Sequence, residues 1–113
     1  MRFLFKICSR AEWDEAVLAG SYDGSALDRQ DGFIHLSGPD QVRETAARHF
    51  KGRTGLVLVA LPEEKLANLK WEASRGGALF PHVYGGIPVA AAAWVKDLPL
   101  ADVVHRFPGE VPA

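Results

Sequence analysis

Gly32-Phe33-Ile34-His35-Leu36-Ser37 is the stretch on which the reading of this chain turns. Read as a strand, it places Phe33, His35 and Ser37 on one side and Ile34 and Leu36 on the other. A segment that hides two aliphatic side chains and shows an imidazole and a hydroxyl opposite them belongs to a half-buried sheet. An imidazole in such a place needs a hydrogen-bond partner wherever it is buried, and Ser37 on the same face could supply one. His35 is therefore either a satisfied histidine that pins a loop or part of a working site, and the motif alone leaves both open.

Upstream, Phe3-Leu4-Phe5-Lys6-Ile7-Cys8 is a short β-prone run, and Ser9-Arg10-Ala11-Glu12 follows with the Ser-x-x-Glu spacing of a helix capping box. A strand feeding a helix is expected, with Trp13, Ala16, Val17 and Gly20 on the helix's inner face and a polar loop from residue 21 to residue 31. Downstream, Ser37-Gly38-Pro39 can cap a second helix in which Val42, Ala46, His49 and Phe50 recur at helical spacing until Lys51-Gly52. Residues 55–61 are a continuous Val and Leu run of strand length, expected at the centre of a sheet and buried on both faces. Residues 62–66 suggest one helical turn, and residues 69–72, 80–84 and 89–95 suggest further strands, the last bracketed by Pro88 and Pro99. The end, from about residue 108, reads as a loose tail.

These elements make an α+β chain with one hydrophobic core, in which Trp13, Val17, Phe33 or Ile34, Val42, Phe50, Val57 and Val59 should meet. At 113 residues the chain is one domain long. Thirteen Lys and Arg against fourteen Asp and Glu leave no global field to hold duplex nucleic acid by its phosphates, so any nucleotide contact must be local. Cys8 is the only cysteine, which rules out an internal disulfide and suits a reducing compartment. The opening eight residues are broken by Lys6 and lack the features of a signal peptide, and no run approaches the roughly 20 apolar residues that cross a bilayer. A cytoplasmic protein without a membrane partner is expected, its oligomeric state open.

A second motif group is Trp71-Glu72-Ala73-Ser74-Arg75-Gly76-Gly77, followed by Phe80-Pro81-His82-Val83-Tyr84-Gly85. A guanidinium beside two glycines, where backbone N–H groups can approach a ligand, suits a phosphate or carboxylate, although such a string is also an ordinary surface loop. Glu72 could be a ligand contact or simply the ion-pair partner of Arg75. His82 and Tyr84 share one face if this segment is a strand, bringing a proton donor beside a phenol. The chain has no Cys pair and no His-x-x-x-His helix, so no metal site is expected. Cys8 in its apolar strand reads as core rather than as a nucleophile.

Taken together, Phe5-Lys6-Ile7, Ala11-Glu12-Trp13, Gly20, residues 31–37, Thr45-Ala46, Phe50, Trp71-Glu72, Ser74-Arg75-Gly76-Gly77 and Phe80-Pro81-His82-Val83-Tyr84-Gly85 resemble the pattern of the bacterial domain-of-unknown-function family 952 over nearly the whole chain. That family is similar at a distance to the ADP-ribosyltransferase group, above all its RNA 2′-phosphotransferase branch. The resemblance implies a compact split β-sheet flanked by two main helices, cradling NAD or a related nucleotide, with transfer of ADP-ribose or action on a 2′-phosphate. In that branch the first strand carries a histidine, and here Lys6 stands in its place while His35 occupies the second such position. A lysine can pair with a phosphate but cannot act as a neutral donor and acceptor. By residue type His35 and His82 are the candidate catalytic groups, Lys6, Ser37, Glu72 and Arg75 candidate substrate contacts, and Tyr84 a stacking surface. The competing expectation is a noncatalytic module that keeps the cleft for a small anion or a protein partner. Metal-assisted hydrolysis lacks ligand spacing.

Overall fold

The computed structural model describes residues 2–112, the side chain of Arg75 lying outside the described residues. Its framework is two three-stranded antiparallel sheets. In the first, β4 (Leu56–Pro62) lies between β1 (Phe3–Ser9) and β8 (Trp94–Asp97); in the second, β6 (Leu79–Val83) lies between β3 (Ile34–His35) and β5 (Leu69–Ala73). The sheets meet at an antiparallel bridge where Phe5 and Ser37 exchange backbone hydrogen bonds of 2.8 and 2.9 Å. Two short ribbons complete the strands, β2 (Ser21–Tyr22) with β7 (Ile87–Pro88) and β9 (Leu100–Ala101) with β10 (Val104–His105). A radius of gyration of 13.1 Å is that of a compact α+β chain of this length.

Every residue of β4 is buried, as a continuous Val and Leu run in a central strand requires. The alternation of β1 and β4 then separates two apolar clusters rather than one. Leu4, Cys8, Val57, Val59 and Leu61 face α1 (Arg10–Ala19) and the second sheet, joining Trp13, Tyr22, Ile34 and Val83. Phe5, Ile7, Leu56 and Leu58 face the other way, toward α3 (Val42–His49), joining Val42, Ala46 and Val111, with Phe50 packed against them. The single core expected from sequence is thus split by a sheet buried on both faces. Lys6 shares the parity of Leu4 and Cys8, so β1 carries it toward the second sheet.

The capping box is formed as the sequence predicts. Ser9 Oγ accepts from the Glu12 backbone N–H at 3.0 Å and Glu12 Oε1 accepts from the Ser9 N–H at 3.1 Å, while Gly20 closes the helix in the left-handed region. Only Trp13 and Ala16 of α1 are buried, and Val17 is 52% exposed, contrary to expectation. A helix this short presents a narrow stripe to the sheet, and Val17 lies across Trp13 from Ala16. The supposed polar loop contains β2 and a third helix, α2 (Ala26–Asp31), with its own capping box between Ser25 and Asp28. The helix α3 begins at Val42 and not near Ser37, because Ser37 is committed to the Phe5 bridge. The alanine run makes a 3-10 turn at Val89–Ala91, and the strand starts only at Trp94, opposite Ala60. Beyond residue 108 the chain is held and not loose: Val111 is buried, and Arg43 donates to the carbonyls of Val111 and Pro112, both at 3.1 Å. No helix among the described residues is long and apolar enough to cross a membrane.

Candidate functional site

A cavity of about 560 Å³ opens where the two sheets meet, lined on its polar side by Lys6, Asp28, Asp31, His35, Ser37 and His82 and on its apolar side by residues such as Phe5, Leu36, Phe50 and Phe80. The two histidines are brought together by register: His35 of β3 lies directly opposite His82 of β6, with ring centroids 5.5 Å apart. Phe33 packs against both, 4.7 Å from the His35 ring and 4.1 Å from that of His82, and extends the aromatic row to Tyr84 at 5.3 Å.

His35 takes its partner from α2 and not from Ser37. Asp28 Oδ1 receives the imidazole Nδ1 at 2.6 Å and the His35 backbone N–H at 3.2 Å, while Asp31 Oδ2 stands 3.0 Å from Nε2. Asp28 is 2% exposed, and its second oxygen accepts from Lys6 Nζ at 2.8 Å and from the Ser25 backbone N–H at 2.9 Å. Burial works to raise the Asp28 pKa, but the bond from His35, the charge and bond of Lys6 and the Ser25 N–H together hold it well below the usual carboxylate range. Lys6, 6% exposed, also donates to the His35 carbonyl at 3.0 Å. It is an internal counterion that ties β1 to α2 and β3. Ser37 instead shares its hydroxyl with Thr45 at 2.9 Å, though it remains on the cavity wall.

His82 is buried, and its Nδ1 lies 2.8 Å from Glu72 Oε1. The same oxygen accepts from the Tyr84 hydroxyl at 2.7 Å. A carboxylate only accepts, so His82 donates through Nδ1, and in the neutral ring the lone pair sits on Nε2. The bonds from His82 and Tyr84 lower the Glu72 pKa, and Glu72 in turn raises that of Tyr84, keeping the phenol protonated. Glu72 is thus the partner of His82 and Tyr84. Tyr84 is 36% exposed, with Lys70 Nζ 5.3 Å from its ring centroid, and like Glu72 and Phe33 it stands behind His82 and does not line the cavity.

The backbone of Arg75 forms a 3-10 turn with Gly76 and Gly77, both in the left-handed region that favours glycine. Its neighbour Ser74 lines the cavity, but the expected anion contact of the Arg75 side chain lies outside the described residues. Sequence reasoning missed three cavity residues, Asp28, Asp31 and Arg53, the last with its guanidinium 5.1 Å from the Phe50 ring. The Ser25-x-x-Asp28 spacing, the same signal as Ser9-x-x-Glu12, could have revealed α2 and with it Asp28. Cys8 lies on the cavity wall with its thiol pushed up to about 12 by burial, which keeps it protonated. Among the described residues no group of three or more His, Cys, Asp or Glu side chains is arranged to hold a metal ion.

The family model described as a protein of unknown function, DUF952, matches residues 7–95 of the chain. The crystal structure of protein CC0527 from Caulobacter crescentus is similar at 51% identity and a TM-score of 0.87, over 92% of this chain and 93% of that one. The solution NMR structure of CC0527 gives a TM-score of 0.81 at the same 51% identity, over 90% and 89%. No curated protein matches the chain. With a family model matched over most of its length, and a half-identical relative of the same fold, this chain belongs to the DUF952 family.

Proposed function

We propose that this chain binds a nucleotide of the NAD or ADP-ribose class in the cleft between its sheets, with His82 moving a proton and His35 facing the ligand's phosphates. The observation that carries the reading is the cross-strand pair itself: two imidazoles in register, each oriented by a carboxylate, lining one cavity. A volume of about 560 Å³ falls within the range of roughly 300–1,000 Å³ typical of ligand sites, and the walls combine apolar surface with convergent polar groups. A carboxylate that fixes a histidine's tautomer and orientation is the usual preparation for general acid or base work. His82 Nε2 would accept a proton from the attacking hydroxyl, whether ADP-ribose is transferred or a 2′-phosphate acted on. The ADP-ribosyltransferase resemblance would seat a nucleotide between the halves of a split sheet, and two sheets with a cleft at their junction leave room for that reading. Tyr84, Phe33 and Glu72 would support His82 from behind, Ser37 would line the seat, and Arg75 would meet the pyrophosphate.

The second reading, a noncatalytic module for a small anion or a protein partner, is favoured by Lys6. Where the related branch has a histidine, this lysine is consumed by Asp28 and the His35 carbonyl and offers no proton-transfer group. Incubation with NAD and assay for released nicotinamide, run beside a thermal-shift titration with NAD and ADP-ribose, separates the two. Stabilisation with release supports the enzyme, and stabilisation without release supports the module. No stabilisation by either nucleotide overturns the nucleotide reading.

A further inference from the structure

We propose that Asp31 occupies an anion seat at His35 Nε2, and that an oxygen of a phosphate or pyrophosphate group binds there by displacing it. The ligand class rests on the nucleotide reading above; the seat itself rests on the following geometry. His35 has an acceptor-only carboxylate at each ring nitrogen, Asp28 at 2.6 Å and Asp31 at 3.0 Å, the surroundings of an imidazolium with two N–H donors. Lys6 pairs with Asp28, and Asp31 faces only the outer nitrogen of the ring. If Asp31 leaves, the N–H at Nε2 is left without its acceptor at the cavity wall, and an oxygen of an incoming anion can take that place.

The two carboxylates differ in their freedom to leave. Asp28 is fixed by Lys6, the Ser25 N–H and the His35 backbone as well as by the ring. Asp31 is more than a third exposed, and among the described residues no side chain other than His35 holds it. It is also the last residue of α2, where the helix's final carbonyls disfavour negative charge, and it is followed by Gly32 at φ 85°, a ready point of turning. Exchange of Asp31 for a ligand oxygen therefore leaves α2 capped and His35 oriented.

Calorimetric titration of the wild type and of Asp31→Asn with inorganic pyrophosphate, and separately with ADP-ribose, tests the seat. Asp31→Asn should bind pyrophosphate about ten-fold more tightly, the scale of one charge-assisted hydrogen bond freed from an internal competitor. His35→Gln should abolish that gain in the double variant and weaken pyrophosphate binding in the wild-type background. Equal or weaker binding by Asp31→Asn, a gain that survives His35→Gln, or no pyrophosphate binding by either protein overturns the inference. If Asp31→Asn does not fold, loss of wild-type pyrophosphate binding in His35→Gln supports the seat and undiminished binding overturns it. A gain for pyrophosphate with no binding of ADP-ribose keeps the seat and removes the nucleotide reading. ADP-ribose bound by the wild type, with no pyrophosphate gain in Asp31→Asn, keeps the nucleotide reading and removes the seat.

Discussion

Asp28 holds His35 twice through one oxygen, taking the ring Nδ1 at 2.6 Å and the backbone N–H at 3.2 Å, so the helix that carries the acid sets both the rotamer and the strand position of the histidine. Because its other oxygen is bonded to Lys6, Asp28 joins α2, β1 and β3 at one buried point. Removing its charge leaves Lys6 without its partner in the interior. Asp28→Asn should cost roughly 3–5 kcal/mol of stability, the range for breaking a buried ion pair from one side. Replacing both charges, as Asp28→Asn with Lys6→Met, should cost less than the sum of the single changes. Urea unfolding of the four proteins reads both quantities.

The lowered Asp28 pKa has a direct pH consequence. Its carboxylate is favoured in the folded state, so its contribution is fully present above the unfolded value of about 3.9 and is lost as pH falls toward the folded value. In that window the unfolded chain binds more protons, and stability rises with pH. The urea midpoint of the wild type should therefore fall steeply below about pH 4, and more steeply than that of Asp28→Asn. Parallel curves for the two proteins would contradict the assignment.

His82 should carry its proton on Nδ1 when neutral, since Glu72 faces that nitrogen at 2.8 Å. Long-range proton–nitrogen NMR correlations report this tautomer directly, and in Glu72→Ala the ring should shift toward the Nε2–H form. If the protein turns over NAD, Glu72→Ala and His82→Gln should lower kcat more than they raise KM, with His82→Gln losing about 100-fold or more.

Gly24 should tolerate no side chain. It has φ 103°, and a Cβ there would stand 2.8 Å from the Asp28 Cβ. Gly24→Ala should lose about 2 kcal/mol or more, combining backbone strain with a clash, and should move the His35 ring resonances by displacing Asp28. An unchanged melting temperature would show that α2 is not seated as described.

Cys8 should resist alkylation in the folded protein at neutral pH. Its thiol is buried and raised to about 12, so almost no thiolate forms, and it should become reactive only when the chain unfolds. Mass spectrometry after brief iodoacetamide treatment, with and without urea, measures the difference.

Elements with a strong period were legible. The central strand announced itself by an unbroken aliphatic run, and α1 by Ser9 and Glu12. The helix α2 was not, because the only large aliphatic side chain in Ala-Leu-Asp-Arg-Gln-Asp, Leu27, is exposed, and its buried residue is Asp28. A helix fastened by polar contacts has no hydrophobic period to read. His35 and His82 could be picked out as polar residues on apolar strands, but the Ser25-x-x-Asp28 spacing could reveal the helix without showing that Asp28 reaches His35 across the Gly32 turn. Val89–Ala91 misled for a related reason. Alanine serves turn, helix and strand alike, and where the strand began was decided by its pairing with β4.

The Phe5–Ser37 bridge makes the cleft depend on both sheets being joined. Lys6 belongs to one sheet and both histidines to the other, so the second sheet alone carries the histidine pair but neither sheet alone encloses the pocket. The residues involved are separated by as many as 76 positions (Lys6 to His82), and no local segment can prefigure them. Occupancy of the pocket is therefore a readout of completed folding, and any ligand found for it will act as a thermodynamic clasp across the seam, stabilising the joined sheets together.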